Sequence, residues 1–316
     1  MMTFLAKFVT FPSMRSNFGR IRLALKLRMN MTVADQFAVA LTGFANYHKP
    51  QEVLLMQEPF FSIIVVSLNA GKQIDLTIRS ALCQTCNDYE IIVKDGVSTD
   101  DTLKHVPSND HIKVYSEPDK SLYDAMNQAI TYSSGRYLIF INCGDTFASP
   151  KVLEEVKNAV KDNNYGMIYG DYTNNGVLRK QPEQLTRFNM YRTILCHQSV
   201  FFNGETLRNE KKYDIKYKIL ADYDLEQDMA KTSNSIHVDT VICNYLGGGL
   251  SETKEGLKQK YKDRRDIIAS HYSAFERFRY CVLWKITLPT LRRKLSESKN
   301  EKVRKKYQSL VNRIND

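Results

Sequence analysis

The sequence lacks several patterns that would assign it to a common class of membrane or nucleotide-binding protein. It has no run of about 18 apolar residues, which disfavours a transmembrane helix. No Gly-x-Gly-x-x-Gly follows the first predicted strand, and neither Gly-x-x-x-x-Gly-Lys-Ser/Thr nor Gly-x-Ser-x-Gly occurs. These absences disfavour a dinucleotide-binding enzyme and exclude a P-loop NTPase and a hydrolase with a nucleophile elbow.

Cysteine provides no disulfide or metal framework. Of the six cysteines, only Cys83 and Cys86 are spaced as Cys-x-x-Cys, and no second pair follows at zinc-site spacing. A metal or redox role for this pair is therefore disfavoured. The N-terminus lacks the apolar core and the small-residue cleavage site of a secretion signal. We expect a reducing, cytoplasmic setting with free thiols.

Charge is unevenly distributed along the chain. Residues 1–50 hold 7 lysines and arginines against 1 acid, and residues 254–316 hold 18 against 7. The middle, residues 51–253, holds 20 against 27. Basic ends around an acidic centre predict an anionic partner, either a membrane surface or a nucleic acid. The alternative is a solvated basic helix that binds nothing.

Regular hydrophobic periodicity begins near residue 60. Before it, residues 1–58 form a basic amphipathic extension in which the alternation has the period of a strand but the composition favours a helix, so both stay open. After it, apolar runs predict the strands Phe61–Ser67, Glu90–Lys94, Ile112–Tyr115, Tyr137–Ile141 and Met167–Tyr169. The segments between them predict the helices Lys72–Leu82, Thr102–Val106, Leu122–Tyr132 and Pro150–Asp162.

This alternation of strands and helices predicts a doubly wound α/β fold with a mainly parallel sheet. Beyond residue 170 the pattern is less regular. Gly176 marks a hairpin tip, Val200–Phe202 and Ile236–Tyr245 resemble strands, and Tyr217–Ala230 resembles a helix.

Polar side chains follow each of the first four predicted strands, at the edge of the sheet where ligands bind in open α/β folds. They are Asn69, Asp95, Glu117 with Asp119, and Asn142 with Asp145. Carboxylate and amide oxygens suit Mg²⁺ or Mn²⁺, and such an ion can bridge the phosphates of a nucleotide. A further carboxylate can deprotonate an incoming hydroxyl. Transfer of a sugar from a nucleoside diphosphate requires this combination.

Six segments between residues 60 and 250 carry a resemblance to a known family. They read "FSIIVVSLNAGKQIDLTIRSALCQTCNDYEIIVKDGVSTDDT", "SEPDKSLYDAMNQAI", "GRYLIFINCGD", "HQSVFF", "ADYDL" and "YLGGGLS". Each segment alone is weak, but their order and spacing are specific. The chain resembles a family 2 glycosyltransferase with the GT-A fold, in the branch that acts in capsule and exopolysaccharide synthesis.

The resemblance implies a GT-A domain, Rossmann-like with a mainly parallel sheet flanked by helices, over residues 59–252. Residues 1–58 and 253–316 would be a basic N-terminal extension and a basic amphipathic helical region. The implied activity is inverting, metal-assisted hexosyl transfer from a nucleotide-sugar, a UDP-sugar in the first instance, to a saccharide or lipid-linked acceptor.

The resemblance also assigns residues to the donor site. Asn69 would lie near the nucleotide and Asp95 would contact its base. The other positions implied to bind donor are Glu117, Asp119, Asp124, Asn127 and Gly144. With no other context, Asp95 before Gly96 would be taken for a turn.

Metal binding is implied for Asp145, the last acid of the family's Asp-x-Asp motif. Here the motif reads Cys143-Gly-Asp145, so the first acid is absent and Asn142 stands one position before it. His197 would contact the metal or the diphosphate. The alternatives are a turn or cap role for Asp145 and a structural role for His197.

The catalytic base implied by the resemblance is Asp222, with Asp224 as its rival. Two residues apart, they would lie on different sides of a helix, so we expect one of them to be a solvated surface acid. Gly247–Gly249 would be a mobile loop over the donor or, alternatively, a phosphate cradle.

The tail mixes aromatic and basic residues between positions 275 and 295, which suits the inner face of a cell membrane. Nucleic acid is disfavoured because no recognised binding module is present. A helical appendage packed on the catalytic domain, within a homodimer, is the alternative. Two rival functions stay open: a sugar nucleotidyltransferase, and a catalytically degenerate transferase-like scaffold at the membrane.

Overall fold

The computed structural model describes residues 58–286, 300–306 and 309. Almost all of the predicted N-terminal extension, and part of the basic tail, therefore lie outside the described residues. The boundaries 1–58, 59–252 and 253–316 stay a prediction.

A nine-stranded sheet forms the centre of the described residues. Its strands are β1 (Phe61–Ser67), β2 (Tyr89–Asp95), β3 (Ile112–Ser116), β4 (Tyr137–Phe140), β5 (Thr146–Phe147), β6 (Met167–Asn174), β7 (Val177–Arg179), β8 (Val200–Asn203) and β9 (Ser235–Tyr245). The spatial order is β3-β2-β1-β4-β8-β6-β9-β5, with β7 paired to β6. The first four strands are parallel, and β8 is antiparallel to both of its neighbours.

Eight helices within residues 73–286 pack around this sheet. They are α1 (Gln73–Leu82), α2 (Leu122–Tyr132), α3 (Val152–Val160), α4 (Arg187–Arg192), α5 (Gly204–Asn209), α6 (Ala221–Thr232), α7 (Lys254–His271) and α8 (Ala274–Ile286). Residues from α1 and α3 form the core on one face of the sheet, and residues from the other helices form the core on the opposite face. Strand β1 is buried along its whole length because both of its faces are covered.

The predicted doubly wound α/β sheet is confirmed over residues 61–174. The hairpin tip at Gly176 is also confirmed, since β6 and β7 flank it with a φ of 75° at this glycine. The very short elements β5, α4 and α5 were not predicted, because two to six residues give too little periodicity to detect.

Helix α6 begins at Ala221 rather than at the predicted Tyr217. The backbone N–H groups of Ile219 and Leu220 both donate to the Asp263 carboxylate of α7, at 2.8 and 3.3 Å. These bonds satisfy the backbone outside a helix, so the helix starts later and Asp263 fixes the segment before it.

The C-terminal helices pack on the domain through aromatic rings. Tyr280 of α8 lies 5.4 Å from the ring of Tyr191 and 5.6 Å from that of Phe188, both in α4. Arg187 pairs with Glu276 at 2.8 Å across the same contact. No helix in the described ranges is long and apolar enough to cross a membrane.

The carboxyl ends of β1 and β4 form the switch point of the sheet. The chain runs outward from β1 to β2 and β3, then returns to place β4 on the other side of β1. Loops diverge at this point and leave a crevice, which is where open α/β sheets bind ligands.

One acid in the core has no partner. Glu226 of α6 is fully buried, and neither of its carboxyl oxygens has a hydrogen-bond partner among the described residues. Burial, together with the charge of Asp222 one helical turn away, raises the pKa of Glu226 well above its ordinary value. The folded protein therefore binds a proton at this carboxyl more tightly than the unfolded chain does.

Replacement of Glu226 by Gln should flatten the pH dependence of stability. The folded state keeps Glu226 protonated where the unfolded chain has ionised it, so wild-type stability falls as pH rises between the unfolded and folded pKa values. The slope is about 1.4 kcal/mol per pH unit. Urea unfolding at several pH values should show a steeper slope in the wild type than in Glu226→Gln, with a difference of about this size.

The exposed Glu210 provides the matched control for this measurement. Glu210→Gln should retain the wild-type slope, because this side chain is exposed. The slopes are compared rather than the stabilities themselves, because the glutamine introduced at position 226 changes the stability by an amount that does not depend on pH. Parallel slopes for wild type and Glu226→Gln would show that Glu226 is not held neutral by the fold.

Candidate active site

A cavity of about 500 Å³ opens at the switch point. Three of the predicted site residues line it together: Asp145, His197 and Asp222. They come from the loop after β4, the 3₁₀ turn His197–Ser199 and the first turn of α6. Residues 245–249 and Lys260 of α7 also line the cavity.

The Asp145 carboxylate joins three separate segments of the cavity wall. It is 4% exposed. One oxygen accepts the backbone N–H of Leu246 at 2.8 Å, and the other accepts the amide Nε2 of Gln198 at 2.8 Å. Burial raises the pKa of Asp145, although these two hydrogen bonds oppose the shift. The side chain caps no helix; it holds the glycine-rich loop against the end of β4.

The turn that presents Asp145 is shaped by Thr77 and Gly144. The Thr77 hydroxyl donates to the Asp145 carbonyl at 2.8 Å and accepts from the Gly144 N–H at 2.9 Å. Gly144 has a φ of 97°, and a Cβ there would lie 3.2 Å from a methyl group of Leu246. Glycine is therefore required both by backbone conformation and by the close approach of the loop.

His197 and Asp222 form a buried pair in the wall of the same cavity. The His197 Nδ1 lies 3.0 Å from Asp222 Oδ2. Burial alone would lower the pKa of His197, but the hydrogen bond and the charge of Asp222 raise it overall. The other Asp222 oxygen accepts the Tyr123 hydroxyl at 3.2 Å and the Tyr223 backbone N–H at 2.8 Å.

The structure distinguishes Asp222 from Asp224. Asp222 lines the cavity, whereas Asp224 does not and pairs with His271 of α7 at 2.8 Å. The expectation that one of the two would be a solvated surface acid is wrong. Residues four apart stack along a helix, so Asp222 and Glu226 share one face, while α7 supplies His271 to the side where Asp224 lies.

A second polar cluster lies at the ends of β2 and β3. The Asp95 carboxylate accepts hydrogen bonds from the hydroxyls of Ser67, Ser98 and Ser116 and from the Ser98 N–H. Its side chain is fully buried, and four bonds match the acceptor capacity of a carboxylate. In this structure Asp95 therefore orders the surrounding loops.

The buried side chain of Lys94 stabilises the same cluster. It is fully buried, and its Nζ donates to the carbonyls of Asp95 and Glu117 at 3.0 and 2.6 Å. It also lies 3.5 Å from the Asp119 carboxylate. The structure thus brings Asp95, Glu117 and Asp119 together around one buried cation. The Asn69 side chain joins the neighbouring loop through the Thr99 N–H at 2.9 Å.

Two other predicted donor residues make structural contacts. The Asn127 amide donates to the Tyr213 carbonyl at 2.8 Å and accepts the Tyr213 N–H at 2.9 Å. The Asp124 carboxylate accepts the Lys120 N–H at 2.8 Å at the start of α2. Neither Asn127 nor Asp124 lines the cavity. The Glu117 side chain is exposed and accepts the Tyr132 hydroxyl at 2.6 Å.

The residues around Asp145 fit a divalent ion that arrives with phosphate. Within the described ranges, no group of three or more His, Cys, Asp or Glu residues could hold an ion unaided. Asn142 Oδ1 is nevertheless buried without a hydrogen-bond partner, and Asn142 lines the cavity together with Asp145. Mg²⁺ is usually held by one or two carboxylates plus substrate phosphates, and Mn²⁺ prefers the same oxygen ligands.

Several residues of the site were not identified from the sequence. Gln198 holds Asp145, Tyr123 holds Asp222, and Lys94 holds the second cluster. A lysine next to Asp95, directly after the apolar run Ile91–Val93 of β2, was the signal available for this group. The glycine-rich loop itself is fixed at its far end, because the Gly248 N–H donates to Glu252 at 2.9 Å.

Comparison with solved structures shows the fold. Residues covering 76% of this chain superpose on 76% of a Staphylococcus aureus TarS fragment in complex with UDP, with a TM-score of 0.55 and 14% identity. A second TarS structure, with UDP-GlcNAc, gives a TM-score of 0.56. The likeness establishes the GT-A architecture.

Sequence comparison identifies relatives at moderate identity. The chain is 28% identical over 223 residues to a PGL/p-HBAD biosynthesis glycosyltransferase of Mycobacterium tuberculosis, covering 65% of this chain and 85% of that protein. It is also 28% identical over 199 residues to the Escherichia coli glucosyltransferase WfgD, covering 60% and 76%. Residues 62–221, half of the chain, match the model of "Glycosyl transferase family 2". The chain therefore belongs to glycosyltransferase family 2 and is a glycosyltransferase of GT-A fold.

Proposed function

We propose that this enzyme transfers a sugar, with inversion, from a UDP-sugar to a saccharide or lipid-linked acceptor in the synthesis of a surface polysaccharide. We place this reaction in the cytoplasm. Structures similar in fold were obtained with UDP and UDP-GlcNAc. The WfgD relative is named for transfer of glucose from UDP-Glc to a diphosphoundecaprenol-linked GlcNAc.

The observation that carries the proposal is the arrangement of two polar clusters on either side of β1. One contains Asp95 and Asp119 at the ends of β2 and β3, and the other contains Asp145 after β4. Two strand spacings of about 4.8 Å put these clusters roughly 10 Å apart. A nucleoside diphosphate is of similar length, so it can lie with its nucleoside at the first cluster and its diphosphate at Asp145.

The cavity also contains cations suited to an anionic ligand, because the side chains of Lys218 and Lys260 both line it. Charges of this sign at the mouth of a cavity attract phosphate-bearing substrates. The metal and the two lysines would share the charge of the diphosphate.

Asp222 is the proposed base. The acceptor hydroxyl would give its proton to Asp222 Oδ2 while its oxygen forms a bond to the anomeric carbon. The bond from that carbon to the diphosphate oxygen breaks, and the pair of electrons leaves with the nucleoside diphosphate. Attack opposite the leaving group inverts the configuration. Tyr123 and His197 hold the carboxylate in place for this step.

A divalent ion, Mn²⁺ or Mg²⁺, would neutralise part of the charge on the leaving diphosphate. Asp145 and Asn142 Oδ1 would hold it, with His197 close by: its Nε2 lies 3.3 Å from the Asn142 amide nitrogen. The family membership favours glycosyl transfer over the nucleotidyltransferase alternative.

Substitution of the base should separate binding from chemistry. We expect Asp222→Asn to bind UDP as tightly as the wild type and to lose transfer by about 10²- to 10⁴-fold, since the amide cannot accept the proton. The measurement is UDP release from a set of UDP-sugars with a lipid-linked acceptor fraction, next to calorimetric UDP binding.

Asp224→Asn is the matched control, because Asp224 faces His271 outside the cavity. It should retain transfer within a few-fold of the wild type. Loss of transfer in Asp224→Asn with activity intact in Asp222→Asn would reverse the assignment. Loss of UDP binding along with transfer in Asp222→Asn would give this residue a role other than the base.

Gln198 should act on donor binding through Asp145. Gln198→Ala removes a hydrogen bond to a charged carboxylate, so we expect UDP in the presence of Mn²⁺ to bind about tenfold more weakly. Calorimetry provides the measurement. Gln84→Ala is the control, because this buried amide bonds to the Ser149 carbonyl outside the cavity. Equal effects of the two substitutions would remove Gln198 from the account.

A further inference from the structure

Helix α8 has an apolar face that the domain does not cover. Phe275 and Phe278 are 73% and 70% exposed, and Val282 is 41% exposed. At 100° per residue, these three side chains fall within a sector of about 60°, centred opposite the buried Tyr280. We call Phe275, Phe278 and Val282 the outer stripe of α8. Single exposed apolar residues are ordinary, but three on one helix face form a patch.

The inner face of the same helix packs on the domain. Tyr280 packs on the rings of α4, and the Trp284 ring lies 6.4 Å from Tyr191 and 5.2 Å from the guanidinium of Arg264 in α7. The helix is therefore held in a fixed rotation by the domain. The packing of Tyr280 and Trp284 on the domain directs the outer stripe away from the domain.

Cations flank the outer stripe, and the charge of the nearby Glu276 is balanced by an ion pair with the domain. By the same helical geometry, Arg279 and Lys285 lie on its two sides, and both are exposed. Glu276, the acid of this helix, lies toward the domain, where Arg187 pairs with it at 2.8 Å. The pairing lowers the pKa of Glu276 to about 2. The outer face of α8 is thus apolar in the middle and positive at its edges.

We propose that the outer stripe of α8 docks on the surface of an anionic lipid bilayer. Phe275 and Phe278 would enter the boundary between headgroups and acyl chains, while Arg279 and Lys285 would contact lipid phosphates. The apolar stripe matches the acyl-chain boundary of a bilayer, and the basic flanks match its anionic headgroups. A second copy of this chain would instead bring the same cations together across a two-fold axis.

The outer stripe of α8 lies close in sequence to a residue that lines the cavity. Lys260 of α7 lines the cavity, and α8 begins three residues after α7 ends at His271. About 11 residues of helix, roughly 16 Å, separate Lys260 from that turn. Docking would hold the cavity near the headgroup layer, which suits the lipid-linked form of the acceptor. This last point rests on the proposed function, whereas the docking itself does not.

The test is co-sedimentation of the full chain with phosphatidylcholine vesicles, with and without phosphatidylglycerol. We expect binding that requires phosphatidylglycerol and weakens with added salt. The double variant Phe275→Ser/Phe278→Ser should bind at least about tenfold more weakly. Arg279→Gln/Lys285→Gln should lose most of the dependence on anionic lipid. UDP binding should be unchanged in all variants, which separates this proposal from the catalytic one.

Tyr261→Ser is the matched control, since Tyr261 is a 77% exposed aromatic residue on α7 outside the stripe. It should bind vesicles as the wild type does. Equal vesicle binding by wild type and Phe275→Ser/Phe278→Ser would overturn the proposal. So would a wild-type dimer in analytical ultracentrifugation that the double phenylalanine variant loses, because the stripe would then be an interface between copies of the chain.

Discussion

The buried carboxylate of Asp145 is the interaction on which the site depends. Its two oxygens are held by the Leu246 N–H and by Gln198, so one side chain ties the end of β4 to the glycine-rich loop and to the His197 turn. A carboxylate withdrawn from water is costly unless its oxygens are satisfied. A metal ion would compete with these two N–H donors for the same oxygens, and the diphosphate would follow as a ligand of the metal. Ligand binding is therefore coupled to the conformation of the glycine-rich loop through Asp145.

The part of the cavity next to Asn142 and Gln198 contains a second group of ionisable side chains. Asp222 faces His197, Tyr123 and the cavity, while Glu226 lies one turn behind it without a partner. Burial, together with the charge of Asp222, raises the pKa of Glu226, and the hydrogen bond and charge of Asp222 raise the pKa of His197. The raised pKa of Glu226 reduces the negative charge that lies beside Asp222.

The sequence was sufficient to predict the sheet and the edge at which the site lies. Long apolar runs such as Phe61–Ser67, separated by amphipathic helices, determine a parallel sheet, and polar residues after each strand determine the functional edge. Family resemblance then singled out Asp145, His197 and Asp222, and the structure brings these three together. The donor-binding roles of Asn69 and the other strand-end residues stay predictions.

The remaining contacts depend on residues far apart in the chain. Nothing local in the sequence indicates that Gln198 reaches Asp145, 53 positions away, or that His271 takes Asp224 out of the site. The contacts of Asn127 are equally distant in sequence, because Tyr213 lies 86 positions away. The outer stripe of α8 became visible only when packing on α4 had fixed the rotation of that helix.

The role of Asp145 in binding metal and diphosphate can be measured by calorimetric titration of UDP and GDP, with and without Mn²⁺, into wild type and Asp145→Asn. We expect that UDP binds the wild type in a Mn²⁺-dependent manner, that GDP binds more weakly, and that Asp145→Asn loses the dependence on Mn²⁺. Identical Mn²⁺-dependent binding by wild type and variant would contradict the role given to Asp145. A folded wild-type protein that binds neither nucleotide would contradict the proposed donor site and favour a scaffold.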